Sequence, residues 1–235
     1  MINPRDILKR EDMETPRNPR DLCAWVDATA SELAQSKETK AYARSGELLP
    51  KKLMEELRPF GLFAGQRFAS EGVTCIPNLG NENFDGEIRF ADSSKTPVYV
   101  ELTYAKDGYD ERLRLGVLNE KGAVNALGKV TVTGTKAARN QRVEVENEAV
   151  DHDSTVSAAL SIVKDRLNGK SGKKYGPRHV LVVVVEDYIA FRTDDDKSAL
   201  RQCAQTAIAG LQLDFGAIYL LGASGGYLER IHGEI

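Results

Sequence analysis

Two short runs of alternating side chains carry the residues of this chain that are best suited to chemistry. The first run spans residues 83–90 and the second spans residues 97–104. Apolar and polar side chains alternate in both runs, which is typical of half-buried β-strands. A period of two places Asp85 and Glu87 on one face of the first strand, and puts the apolar side chains on the other face: Phe84, Ile88 and Phe90.

Glu101 and Thr103 lie on the polar face of the second run in the same way. If the two strands pair, the carboxyl groups of Asp85 and Glu101 come together, which costs free energy unless a cation or a proton compensates. Carboxylates are the ligands that Mg²⁺ prefers. The two runs therefore predict a divalent metal site. Alternation alone fits a solvent-facing sheet surface equally well, with Asp85 in a turn.

Length and composition limit the class of protein. The chain has 235 residues and a net charge of −3, which suits one domain with extensions and argues against a uniformly basic nucleic-acid surface. The three cysteines are far apart and form no C-x-x-C pair, as in a reducing cytoplasm, so a cysteine zinc site is not expected. No apolar run is long enough to span a bilayer, and residues 1–20 do not resemble a secretory signal. We expect a cytoplasmic protein without a membrane partner.

The first part of the chain predicts a helical extension. Residues 1–20 contain three prolines among charges and are expected to form an extended arm outside the core. Apolar residues then recur at helical spacing over 21–35, with Asp21 as the N-cap. Residues 36–45 are expected to form a polar linker. The arm and helix thus occupy residues 1–45, and the main domain occupies residues 46–235.

The main domain predicts alternating helices and strands. A helical stretch begins near residue 49 and is interrupted at Pro59. Residues 107–153 form an insertion that contains a hairpin, whose expected basic tip includes Lys136, Arg139 and Arg142. The remaining expected elements are strands at 73–77, 84–90 and 98–104, a helix that follows Asp153 and ends at Gly169, a buried strand at 180–185, a helix at 197–211, a strand at 217–221 and a short strand at 228–231. This order of helix, three-strand meander, helix, strand, helix and strand predicts an α/β fold with a mixed central sheet flanked by helices.

Order and motif together resemble the PD-(D/E)xK, or restriction-endonuclease-like, superfamily over residues 49–106 and 154–222. Asp85 matches the acid near the second strand of that family, and Glu101 matches the acid of the third-strand motif. The resemblance implies a restriction-endonuclease-like fold that hydrolyses phosphodiester bonds of nucleic acid, with DNA favoured over RNA. It also implies Mg²⁺ or Mn²⁺ held by Asp85, Glu101 and the carbonyl of Leu102.

Two further carboxylates are candidates for the same site. Glu87 lies on the same predicted face as Asp85 and could bind the metal directly or through water. Glu56, in the first helix of the main domain, could add a carboxylate from outside the sheet.

Thr103 stands where the family has its motif lysine. A neutral hydroxyl cannot replace the ammonium charge that positions the attacking water and offsets phosphate charge. Lys106, at the end of the same strand, and Lys164, on the following helix, are the candidates to supply that charge. The alternative is a catalytically inactive member of the fold that binds nucleic acid or another protein.

Residues 164–178 form a basic segment, with six Lys or Arg and a single acid, Asp165. Lys170, Lys173 and Lys174 are predicted to contact nucleic-acid phosphates. A solvated helix end is the alternative, because cations are favourable at helix C-termini in any case. Nucleic acid is therefore the expected partner, and a homo-oligomer stays open.

Overall fold

The computed structural model describes residues 3–135 and 140–235, so Lys136 and Arg139 of the expected hairpin tip lie outside the described residues. The chain has a mixed α/β architecture. Its strands are β1 Val73–Pro77, β2 Gly86–Phe90, β3 Val98–Tyr104, β4 Val130–Thr133, β5 Arg142–Val145, β6 Lys174–Val185, β7 Asp214–Gly222 and β8 Leu228–Gly233.

Six of these strands form the central sheet, in the order β1-β2-β3-β6-β7-β8. The first three strands are an antiparallel meander, as predicted. Strand β6 then pairs parallel with β3, and β7 pairs parallel with β6, while β8 returns antiparallel at the far edge. The predicted mixed central sheet is thus confirmed. Strands β4 and β5 form the expected hairpin as a separate two-stranded sheet.

Helices flank this sheet. They are α1 Pro4–Ile7, α2 Arg10–Met13, α3 Pro19–Leu33, α4 Lys37–Ala43, α5 Leu48–Lys52, α6 Arg58–Arg67, α7 Gly108–Lys121, α8 His152–Asn168 and α9 Asp194–Ala209, with a π-helical turn at Leu53–Leu57. In the described part of the chain, no helix combines the length and the apolar character that a membrane crossing requires.

The two faces of the sheet are covered to different extents. The last six residues of β6 and of β7 are all buried, so helices cover both faces there. Strands β1 to β3 instead alternate between buried and half-buried residues, or exposed ones in β2. Their buried side chains join the core beneath α3 and α6, whereas α8 and α9 pack on the opposite face against β6 and β7. The second face of β1 to β3 is consequently only partly covered, and we call it the open face.

The expectation of an amino-terminal arm outside the core is wrong. Leu8 and Met13 are almost completely buried in the same cluster as the sheet. The side chain of Asn3 caps the short helix α1. The N-cap of α3 is Asn18 and not the predicted Asp21. The expected linker at residues 36–45 is also wrong, since α4 begins there with a capping box.

Pro59 does not interrupt the helix that contains it. Helix α5, the π-helical turn and α6 follow one another without a break, and Pro59 lies in the first turn of α6. Proline lacks an N–H donor and its ring collides with the carbonyl of the preceding turn. A π-helical turn widens the backbone at this point and accommodates the ring. The turn also carries Glu55 and Glu56, so it determines where these acids lie.

The insertion at residues 107–153 contains one element that the sequence pattern did not predict. Helix α7 begins at the N-cap Asp107, whose side chain accepts hydrogen bonds from two backbone amides, and it ends at Gly122 in the left-handed conformation. Among its residues only Val117 is buried. A helix with so narrow an apolar stripe gives little periodic signal.

Candidate functional site

Asp85 lies at the entrance of β2, next to the middle of β3. Its Oδ2 atom accepts a hydrogen bond of 2.7 Å from the backbone N–H of Leu102. Its own backbone N–H donates to the carbonyl of Val100 at 2.8 Å, and its carbonyl accepts from the amide of Asn78 at 2.9 Å. Backbone contacts with β3 and with the residue after β1 therefore fix the Asp85 carboxyl beside the residue that follows Glu101.

The Asp85 carboxyl is held in an unfavourable environment for a negative charge. Burial, followed by the charges of Glu56 and Glu101, raises the pKa of Asp85 to about 7. The hydrogen bond from Leu102 and the charge of Lys52 oppose this rise but do not cancel it. Since structural carboxyls seldom remain near acids without compensation, a perturbed group of this kind is typical of a functional site.

Glu101 forms an ion pair with Lys170. The Nζ atom of Lys170 donates to Oε1 of Glu101, and both side chains are about 15% exposed (15% for Lys170 and 14% for Glu101). Glu101 lies on the open face, because Val100 and Leu102 on either side of it are buried on the other face. The ammonium group of Lys170 is therefore in direct contact with the carboxylate of Glu101 on β3.

The turn after α8 sets the position of Lys170. Gly169 ends the helix, and the amide of Lys170 donates to the carbonyl of Leu167 at 3.0 Å. Two residues later the amide of Gly172 donates to the carbonyl of Gln212 at 2.9 Å, with φ at +73°. The turn is therefore attached both to its own helix and to the loop before β7, and its lysine enters the open face from the side of α8.

A second ion pair near Asp85 lies on α5 and the π-helical turn that follows it. Lys52 and Glu56 lie one helical turn apart and their Nζ and Oε2 atoms are 2.6 Å from each other. Burial raises the pKa of Glu56, while Lys52 lowers it. The Lys52–Glu56 pair contributes both a negative and a positive charge to the surroundings of Asp85. We refer to Asp85, Glu101, Lys170, Lys52 and Glu56 together as the acidic site.

The structure places the two predicted lysines elsewhere. Lys106 pairs with Glu55 at 3.0 Å and lies 4.8 Å from the ring centroid of Tyr104, beyond the end of β3. Lys164 is exposed on α8. Burial raises the pKa of the Cys203 thiol on α9, and the charge of Lys164 partly opposes that rise. Lys170 instead contacts Glu101.

The other predicted residues lie on β2 or near the starts of β2 and β6. Glu87 is on the open face, but its carboxylate pairs with Arg89 at 2.5 Å. Lys173 and Lys174 are exposed at the start of β6, as contacts with phosphates would require. Phe84 differs from the expectation: β2 begins only at Gly86, and the Phe84 ring contacts Tyr99, with centroids 4.8 Å apart.

Asp85 and Glu101 have the chemistry to hold a hard divalent cation. Burial, together with the like charges of Glu56 and Glu101, raises the pKa of Asp85, and a bound Mg²⁺ would relieve the repulsion by supplying positive charge. In the described ranges, no three His, Cys, Asp or Glu side chains are grouped closely enough to form a complete ligand set. Because Mg²⁺ keeps several water ligands, two carboxylates with water and a phosphate suffice for it.

Signals in the sequence bear on three of these residues. Lys52 and Glu56 have the i, i+4 spacing of a helical ion pair. Lys170 directly follows a helix-ending glycine in a helix that must pack near β3 and β6, which limits where it can reach. The choice of Lys170 over Lys164 depends on the tertiary path of the turn, which the pattern does not contain.

No protein-family model matches the chain, and no curated protein or solved structure matches it. Its function is accordingly inferred from the geometry and charge of the acidic site itself.

Proposed function

We propose that this chain is a divalent-metal-dependent nuclease that hydrolyses phosphodiester bonds of nucleic acid, with an active site of the PD-(D/E)xK type. The observation that carries the proposal is the contact of Lys170 with Glu101 beside the half-buried Asp85. Two acids and one ammonium are the charged groups that this chemistry requires. The antiparallel meander followed by a helix and a parallel strand, β6, supports the same assignment.

Each residue has a distinct role in this proposal. Asp85 and Glu101 would hold Mg²⁺ or Mn²⁺, which when bound polarises the scissile phosphate and activates a water. Lys170 would supply the positive charge that Thr103 cannot, offsetting charge on the phosphate and orienting the water. Its partner Glu101 keeps the ammonium in place before a substrate enters.

Tyr175 supports the same chemistry from β6. Burial and the charges of Glu101 and Asp85 raise the pKa of Tyr175 to about 12, so its hydroxyl stays protonated at neutral pH. A neutral hydroxyl beside two carboxylates can donate a hydrogen bond to a phosphate oxygen without adding negative charge.

A cleavage assay tests the proposal. Purified wild type is incubated with supercoiled plasmid, single-stranded DNA and RNA in Mg²⁺, in Mn²⁺ and in EDTA. We expect metal-dependent cleavage that Asp85→Asn and Glu101→Gln abolish and that Lys170→Met lowers by about 100-fold or more. Lys40→Met is the matched control, because this exposed lysine lies on α4, outside the acidic site and the basic segment 164–178, and should retain most activity.

The rival function is a nucleic-acid-binding module without catalysis. Thr103 at the position of the motif lysine favours it. Binding of nucleic acid without cleavage in either metal would support this rival. Cleavage that survives Asp85→Asn and Glu101→Gln would come from a contaminant and would contradict the nuclease assignment.

A further inference from the structure

A row of aromatic rings crosses the sheet beside the acidic site. Phe84 contacts Tyr99 with centroids 4.8 Å apart, and Tyr99 contacts His179 at 5.1 Å. His179 in turn lies 5.8 Å from Tyr175, whose ring stacks on Phe215 at 4.2 Å. We call Phe84, Tyr99, His179 and Tyr175 the aromatic row.

The rings of the aromatic row are partly accessible, and only Tyr175 among them packs against a core cluster in the described residues. All four are half-buried, whereas Phe215 beneath Tyr175 is only 6% exposed and fixes that ring from below. Phe84 and Tyr99 belong to neither of the two core clusters found in the described residues. Aromatic side chains that a core does not need, held at fixed positions on one surface, are suited to contacts with planar ligands.

The aromatic row leads to the acidic site. Tyr99 precedes Glu101 by two residues on β3, so both side chains lie on the open face. At the other end, the charges of Glu101 and Asp85 act on the hydroxyl of Tyr175. A ligand lying along the rings would therefore bring its neighbouring groups to the two carboxylates.

Cations accompany the rings. Arg178 is exposed and its guanidinium lies 5.6 Å from the centroid of Tyr99, so a planar group already fits against that ring. Lys173 and Lys174, next to Tyr175 in the sequence, are exposed as well. None of these three cations forms an ion pair within residues 3–135 and 140–235. Two of the acids on this surface are instead paired, Glu101 with Lys170 and Glu87 with Arg89.

A surface on which rings alternate with cations is suited to a single-stranded nucleic acid. Unpaired bases stack on aromatic side chains while the phosphates between them contact Lys and Arg. A duplex keeps its bases stacked on each other and would offer this surface only its phosphates. An acidic peptide would use the cations but not the rings.

We propose that the aromatic row binds unpaired bases of a single-stranded nucleic acid and guides the strand into the acidic site. The shared chemistry is a phosphodiester backbone with exposed bases, whether DNA or RNA. This inference deepens the proposed nuclease function, since both concern the same surface. Binding in the absence of a metal ion can nevertheless be measured without any cleavage.

Fluorescence anisotropy in EDTA tests the inference on the full chain. The probes are a labelled oligothymidylate, the corresponding oligouridylate, a hairpin duplex, and an abasic strand of the same length and charge. We expect the wild type to bind the stronger of the two single strands about tenfold or more tighter than the abasic strand, because the abasic strand has no bases to stack on the rings. The stronger strand identifies DNA or RNA as the source.

Variants assign that difference to the rings. Tyr99→Leu should lower affinity for the single strand about tenfold and leave duplex binding unchanged, while Tyr99→Phe should retain the wild-type affinity. Tyr109→Leu is the matched control, since Tyr109 is 53% exposed on α7 and outside the row. Circular dichroism checks folding, and Tyr175→Leu replaces Tyr99→Leu if the latter is unfolded.

Two results would overturn the inference: an abasic strand that binds as tightly as the base-containing strand, or a folded Tyr99→Leu protein with wild-type affinity. Base-dependent binding together with no cleavage in Mg²⁺ or Mn²⁺ would support the aromatic row while contradicting the nuclease assignment. Cleavage together with base-independent binding would support the nuclease assignment and contradict the aromatic row. The two proposals can therefore fail independently of each other.

Discussion

The backbone N–H of Leu102 donates a 2.7 Å hydrogen bond to the side chain of Asp85, so a carboxyl replaces a carbonyl in the pairing of β2 with β3. The regular register of this pair ends at Gly86 and Val100. Beyond that point the Asp85 side chain satisfies an amide that would otherwise lack a partner in the sheet. Asp85 thus has a structural role as well as its proposed chemical one, and variants must preserve its hydrogen-bond acceptor.

Asp85→Asn should stabilise the protein above neutral pH and have little effect in acid. The pKa of Asp85 rises from 3.8 to about 7 on folding, so the folded state holds a proton that the unfolded state releases between these values. Stability is therefore lost as pH increases across this window, by at most on the order of 4 kcal/mol. Asparagine keeps an oxygen acceptor for Leu102 but carries no charge. Thermal unfolding at about pH 4 and pH 8 measures the difference, and an Asn variant less stable at pH 8 would contradict it.

Magnesium should stabilise the protein at about pH 8 and not at about pH 5. The metal must compete with the proton on Asp85, and that competition weakens above the carboxyl's pKa of about 7. At a concentration of about 100 Kd, a ligand specific for the folded state adds about 2.7 kcal/mol. This corresponds to a rise in Tm of several degrees for a chain of this length. The rise in Tm should disappear in Asp85→Asn. Calcium serves as a second cation in the same measurement, because it takes the same oxygen ligands.

Gly86→Ala should destabilise the entrance of β2. A Cβ at this position would lie 2.6 Å from Cζ of Phe60, whose ring is 1% exposed and has no room to move. We expect a loss of roughly 1–3 kcal/mol from overpacking. Gly116→Ala is the matched control on α7, where a Cβ meets nothing within 4 Å, and should stabilise by about 0.5–1 kcal/mol. Urea unfolding compares the two, and equal effects would exclude the close contact with Phe60.

Met13→Ala should destabilise the whole domain. Met13 is completely buried in the cluster that contains the sheet, so removing its side chain leaves a cavity costing roughly 2–5 kcal/mol. Met54→Ala makes the same chemical change at a residue that is 45% exposed, and should alter stability by less than about 0.5 kcal/mol. A single unfolding transition for both proteins is expected. A separate early transition in Met13→Ala would instead indicate that the amino-terminal segment folds on its own.

The predictability of the fold followed the strength of local patterns. Strand β3 has the predicted bounds because its alternation is complete from Val98 to Tyr104. Helix α7 was not predicted because it buries only Val117, which leaves almost no periodicity. The amino-terminal helices were not predicted because prolines and charges dominate the first 20 residues. Their burial comes from a few apolar residues that meet the core only after folding.

The candidate site was predictable in its strand residues and not in its lysine. Asp85 and Glu101 follow from period two, and the structure brings them close enough for the charge of Glu101 to raise the pKa of Asp85. Lys170 reaches Glu101 across 69 positions of sequence through a turn attached to Gln212. Contacts between residues so far apart in the sequence are determined by tertiary packing. The spacing of residues along one strand contains no information about that packing.

The pairing of Arg17 with Cys75 protects an exposed edge of the molecule. Strand β1 is the outermost strand of the sheet, and the amide and carbonyl of Cys75 bond to the backbone of Arg17 at 2.7 and 3.0 Å. Edge strands with free backbone groups are templates for adding strands from other chains. Removing the residues before α3 would therefore uncover a site for self-association. A shortened protein should form oligomers or aggregates at concentrations at which the full chain does not.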